Sequence, residues 1–324
     1  MKGQRIGLVL SGGGAKGAYQ VGVVRAICEL GLEVSAISGA SIGALNGAVI
    51  ASSGSLERAV ERLGELWGIL AEDPPLGDEV PNLIKLLEGT GLPVDPALRS
   101  TAKLAKAISH NLLPTITNPD TGSLVDNGAI KKLMDEYISI EQLAEGPPLY
   151  VSVFPSGNMV ESLIGSGLAA LQIKENTKSQ FIHVQSLPRE DQRKALLASA
   201  AIPLLLESQE IGGERYNDGG LGGVRSSQGN TPILPLLENG YDPVIVTSLS
   251  DRTRWITQLE QLRERYPAAR LIEVERIEPI DRTLILPEVF DIVSFHPKKI
   301  QSWIKQGYGD AIRCLSTLKE AQIG

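Results

Sequence analysis

Apolar residues fall in short blocks divided by glycines and polar turns, and the spacing within each block changes along the chain. "RIGLVL" (5–10) is continuously apolar, the pattern of a strand buried on both faces. "GAYQVGVVRAICELGL" (17–32) repeats apolar residues at helical spacing through Val21, Val24, Ile27 and Cys28, and Gly31 closes that helix. "EVSAIS" (33–38) predicts a second strand, and "GASIGALNGAVIAS" (39–52) a tight turn into a second helix. Strand, glycine loop, helix, strand, tight turn and helix predict the start of a parallel α/β sheet.

The pattern changes at residue 56. "LERAVERLGELWGIL" and "PALRSTAKLAKAISHNL" have helical periodicity and alternate with the loops "EDPPLGDEVP" and "GTGLPVDP". The stretch 56–122 therefore reads as a helical excursion, either a cap beside a site or a layer packed on the sheet. Beyond it, "SLVDNGAIKKLMDEYI" predicts a helix with Asp126 as N-cap, and "PLYVSVFPSG" and "QFIHVQSL" predict strands. "EDQRKALLASAAIPLLL" predicts a helix ending near Pro203, and "ERYNDGGLGG" a glycine-rich turn. "PVIVTSLS" and "RLIEVERI" are later strands, and residues 297–321 form an amphipathic helix. The expected fold is α/β: a three-layer arrangement with a mostly parallel central sheet flanked by helices and a helical cap insertion, all in one domain over 1–324.

That last helix has two readings. Ile300, Trp303, Ile304, Ala311, Ile312, Leu315 and Leu318 lie along one stripe, beside Lys298, Lys299, Lys305, Arg313 and Lys319. Such a stripe suits either the surface of an anionic membrane or a place on the parent domain.

Composition narrows the classes. The net charge of −7 argues against a nucleic-acid partner, and there is no apolar run long enough to span a bilayer. The N-terminus reads as strand and turn, not as a leader, so the chain is expected in the cytoplasm, with peripheral contact at a membrane left open. Low aromatic content with 34 glycines points to close packing of small residues. Cys28 and Cys314 read as buried free thiols. His110, His183 and His296 show no ligand spacing, so no metal site and no cofactor are expected.

The chemistry concentrates in the first glycine loop. Gly12, Gly14 and Gly17 fit the dinucleotide fingerprint G-x-G-x-x-G. That fingerprint also requires an acid at the end of the second strand, and the nearest candidate, Glu33, precedes it. The phosphate loop fails as well, because Lys16 comes before Gly17 and Ala18 stands where a hydroxyl is needed. A third reading rests on the next strand, which ends in Gly39-Ala40-Ser41-Ile42-Gly43, a G-x-S-x-G sequence at a strand-to-helix turn. Glycines two residues either side of Ser41 allow a sharp elbow that presents the serine hydroxyl. Both loops then lie at the carboxyl edge of adjacent parallel strands, and the N–H groups of Gly12, Gly13 and Gly14 can face a carbonyl attacked by Ser41. As the serine's proton acceptor, His296 fits the order Ser, Asp, His of one hydrolase class, while Asp218, followed by Gly219 and Gly220, is presented on a tight turn.

Together "SGGGAKG", "GASIG", "ASAAIP" and "YNDGG" resemble, in order and approximate spacing over residues 4–250, the patatin-like phospholipases. The resemblance implies a metal-independent lipid acyl hydrolase with a Ser-Asp dyad and no histidine. Ser41 matches the nucleophile, Asp218 the base, and Gly12, Gly13 and Gly14 the oxyanion loop. Lys16 matches the basic residue of that loop. Gly17, Gly39, Gly43, Gly219 and Gly220 would support loop, elbow and turn. The implied substrates are membrane phospholipid, lysophospholipid or another acyl ester. Residues 66–122 and 155–180, which would shape the acyl pocket, match no pattern of the family.

Overall fold

The computed structural model describes residues 5–74, 128–155, 179–201, 207–221, 228–249, 252–277 and 295–323. Asp126, Pro203, His110 and the part of the helical excursion from 75 to 122 lie outside the described residues.

Strand β1 (Ile6–Leu10) is buried throughout, as a strand covered on both faces must be. A 3-10 turn over Gly14–Gly17 leads into α1 (Ala18–Glu29), and Gly31, at φ 69°, takes up the left-handed position just past that helix. β2 (Val34–Gly39) and α2 (Ile42–Ala51) follow, then α3 (Leu56–Glu72). The opening of the stretch 56–122 is therefore a layer packed on the body, the second of its two readings. Its apolar face (Ala59, Leu63, Leu66, Trp67, Leu70) is buried in the main core.

After α4 (Gly128–Tyr137) and α5 (Ile140–Leu143) come β3 (Leu149–Pro155) and β4 (Gln180–His183). The rest of the predicted "QFIHVQSL" strand is a 3-10 turn over Val184–Ser186. α6 (Arg189–Ala200) precedes β5 (Gln209–Ile211) and β6 (Glu214–Asp218). Here the sequence reading needs correction: residues 214–218 are a strand, not part of a glycine-rich turn. Gly212 and Gly213, both at positive φ, close a two-residue hairpin that pairs Ile211 with Glu214 and carries β6 alongside β5. α7 (Leu234–Glu238), β7 (Val244–Thr247), α8 (Arg252–Arg265), β8 (Leu271–Glu273) and α9 (Pro297–Ile323) complete the described elements.

The strands form one mixed sheet of order β5-β6-β3-β2-β1-β7-β8, with β4 also on β3. The pairs from β3 through β8 are parallel, and those among β3, β4, β5 and β6 antiparallel. One face is covered by α1, α2, α3 and α9, the other by α7 and α8.

α9 docks on this body. Ile300, Trp303, Ala311, Leu315 and Leu318 are buried in the main core, so the stripe is not free to lie on a membrane. The crossing with α1 is close because both helices present glycine. A Cβ at Gly22 would collide with the Ile304 carbonyl, and one at Gly307 with that of Tyr19. Tyr19 also donates to Asp310 Oδ2 (3.1 Å) inside the contact. Cys28 and Cys314 are free but only half-buried, because each lies at the margin of its helix's buried face.

Candidate active site

Two strand ends meet on one edge of β3. Along that strand, Tyr150 and Val151 pair with both β2 and β4, and Val153 pairs with both β4 and β6. A strand has two edges, so β2 and β6 share the edge opposite β4. β2 leaves it at Gly39, opposite Val151, and β6, running the other way, ends at Asp218, opposite Val153. The residues after Gly39 therefore turn directly toward Asp218.

The turn is a strained elbow. Ser41 has φ 52° and ψ −126°, the one positive φ at a non-glycine residue among the described residues. Holding such a conformation costs about 1–3 kcal/mol and requires firm surroundings. Glycine supplies them: a Cβ at Gly43 would run into the Leu10 carbonyl, and one at Gly39 would lie 2.5 Å from Gly43 O. Although Ser41 stands at the N-cap of α2, its side chain makes no capping bond. The hydroxyl instead lies close enough to the Asp218 carboxyl to lower its pKa.

Asp218 is buried, and burial pushes its carboxyl up to about 6; the nearby Ser41 hydroxyl and the Gly220 N–H pull the other way. The Gly220 N–H donates to Asp218 Oδ1 at 2.7 Å. The end of α6 grips both partners. Ser199 Oγ accepts from the Ser41 N–H (3.1 Å) and donates to Ser152 O (2.7 Å), and the Asp218 N–H donates to Ala201 O (2.9 Å). Gly219 packs against Ser152, with no room for a Cβ.

The glycine loop lies across the elbow: a Cβ on Gly12 would stand 3.1 Å from Ser41 Cβ. The Gly12 N–H donates to Asn230 O (3.0 Å), which removes it from the three expected donors. Among the described residues, the N–H groups of Gly13 and Gly14 have no acceptor. Beneath the loop runs a buried polar chain. Gln20 Nε2 donates to Ser11 O (2.7 Å), and Asn46 Nδ2 to Gln20 Oε1 (2.9 Å) and Gly17 O (3.2 Å). Trp67 Nε1 donates to Asn46 Oδ1 (3.0 Å). Lys16 is buried beside it, its N–H donating to Gly13 O (3.2 Å).

The two described histidines do not join this group. His183 stacks on Tyr150 (5.0 Å), and His296 is exposed, its Nδ1 accepting from Lys298 N (3.3 Å). Sequence reasoning missed Ser199, Asn230, Gln20, Asn46 and Trp67 as site supports. Ser199 lay inside the quoted "ASAAIP" without a role, and the others carry no local signal.

The Patatin-like phospholipase profile matches residues 8–236. The chain belongs to that family. Lysophospholipase nte1 of Aspergillus terreus is 43% identical over 72 residues, 20% of this chain and 5% of the relative. Neuropathy target esterase sws of Drosophila melanogaster is 43% identical over 65 residues, again 20% and 5%. The chain thus matches about one twentieth of the length of these curated relatives. Among solved structures, VipD from Legionella pneumophila aligns over 97% of this patatin-like chain and 67% of its own, at 15% identity and a TM-score of 0.44. No helix among the described residues is long and apolar enough to cross a membrane.

Proposed function

We propose that this patatin-like protein is a serine acyl hydrolase that cleaves an ester bond of a membrane phospholipid or lysophospholipid. The observation that carries the reading is the meeting, on one edge of β3, of the buried Asp218 carboxyl and a serine held on a positive-φ elbow. Ser41 Oγ attacks the ester carbonyl and its proton passes to Asp218. The resulting oxyanion rests on the N–H groups of Gly13 and Gly14, donors of a kind worth about 3 kcal/mol each in the transition state. Collapse expels the alcohol, which takes the proton from Asp218 and leaves an acyl ester on Ser41. Water then gives a proton to Asp218 and attacks that ester, and the fatty acid departs as Ser41 Oγ recovers the proton.

Nucleophile, base and oxyanion donors are all groups of the chain, so the scheme calls for no metal or cofactor. Family membership supports lipid as the substrate class, met by peripheral contact with a membrane. The test is labelling by a fluorophosphonate probe with mass mapping of the adduct, beside release of fatty acid from lysophosphatidylcholine micelles. An adduct on Ser41 and fatty-acid release that both vanish in Ser41→Ala are expected. An adduct elsewhere, or release that survives the substitution, would overturn the reading.

A further inference from the structure

We infer that Asn230 is a positioning residue that fastens the glycine loop to the Asp218 turn and so sets the oxyanion donors against the base. The inference rests on the hydrolase reading above. Asn230 holds Gly12 at two points: its carbonyl accepts from the Gly12 N–H (3.0 Å), and its Nδ2 donates to Gly12 O (3.2 Å). Its Oδ1 fills the space beside Gly12 where a side chain would begin. The same oxygen lies on the other side against Gly220, 3.0 Å from where a Cβ would stand there. That Gly220 position is also 3.1 Å from Asp218 Oδ1, and the Gly220 N–H donates to the same carboxyl oxygen. One amide side chain therefore touches the residue next to Gly13 and Gly14 and the residue that grips the base.

The chemistry of the side chain matters. Gly12 O needs a donor, and Asn230 Oδ1 must sit between two glycines without charge. Aspartate has the shape but not the donor, and it would place a second negative charge near Asp218. Among the described residues, the groups acting on Asp218 are the Ser41 hydroxyl and the Gly220 N–H, and a carboxylate at 230 would add a like charge on the far side of Gly220.

The test compares wild type, Ser41→Ala, Asn230→Ala and Asn230→Asp in the full chain, reading kcat, KM and the pH–rate profile on a p-nitrophenyl ester, together with the unfolding temperature. In Asn230→Ala, kcat should fall on the order of 10- to 100-fold with KM within about twofold, because the reacting groups are misplaced while binding is kept. In Asn230→Asp, kcat should also fall, and the acid limb should move up by about one pH unit, since a neighbouring negative charge disfavours ionisation. A purely structural residue would not move that limb. An unchanged kcat in Asn230→Ala, or an unmoved limb in Asn230→Asp, overturns the proposal. Should Asn230→Ala fail to fold, the near-isosteric Asn230→Asp carries the test. Turnover in Ser41→Ala equal to wild type sinks the hydrolase reading, whereas turnover that needs Ser41 but ignores Asn230 sinks this proposal alone.

Discussion

The parallel and antiparallel arms of the sheet hold their halves of the site by different means. In the parallel arm, β1, β2 and the helices after them fix Ser41 through backbone: glycines at 39 and 43 that admit no Cβ, and a strained φ that the packed core must maintain. In the antiparallel arm, β6 brings Asp218 to the same place, but polar contacts set its state: the Ser41 hydroxyl, the Gly220 N–H and, on its backbone, Ala201 O. A nucleophile fixed by sterics has one position. A carboxyl held by hydrogen bonds in a dry site has an adjustable basicity. Geometry should therefore fail in an all-or-none way on the Ser41 side, and in graded fashion on the Asp218 side.

The largest expected effect tests the first arm. Ser41→Ala should lower ester turnover by about four orders of magnitude or more while the unfolding temperature stays within about two degrees; turnover in the folded variant would break the comparison. Asp218→Asn comes next, with a loss on the order of 10³-fold or greater and an opposite sign in stability. Burial raises this carboxyl from 3.8 to about 6, so the fold binds its proton more tightly than the unfolded chain does. Its stabilising contribution is complete below about pH 4 and is lost as pH rises through 6, a difference of roughly 3 kcal/mol. The neutral asparagine should therefore raise stability at pH 7 by up to about that amount, and a denaturation curve showing a large loss would contradict the buried-carboxylate picture. In wild type, the rate should drop about tenfold for each pH unit below 6.

Ser199→Ala sharpens the comparison because Ser199 ties the two arms together. Removing its hydroxyl leaves the buried Ser41 N–H without an acceptor, which costs about 1–3 kcal/mol in a chemical denaturation series. It should reduce kcat by about tenfold, more than it changes KM. The smallest effect is expected from His296→Gln, within about twofold of wild type in turnover. A collapse there would move the base out of the antiparallel arm altogether.

How legible each arm was follows the same division. A backbone that bends sharply or allows close approach must use glycine, so "SGGGAKG" and "GASIG" betray their geometry within a few residues. Asp218 has a weaker local mark, the paired glycines after it, which left His296 open beside it. Its place depends on β6 reaching β3, and the Gly212–Gly213 hairpin that delivers the strand lies before the stretch read as a turn. Resemblance to a family chose the aspartate over His296; the local sequence alone did not. The Gln20–Asn46–Trp67 chain was silent because its members come from three helices and meet only in the fold. The docking of α9 was half visible: the stripe was read correctly, but what covers it is α1, at the other end of the sequence.

That contact between α1 and α9 has a consequence in time. Tyr19 and its partner Asp310 are 291 residues apart. At about 5–20 residues per second of synthesis, on the order of 15–60 s pass between their making. For that interval the βαβα unit, with its glycine loop and elbow already encoded, has an apolar helix face whose partner is not yet made, and for most of it one edge of β1 also waits for β7. The birth of this fold on the ribosome is thus a wait: the glycine loop and elbow are made well before Asp218, and they can be set in a finished core only after α9 has been made.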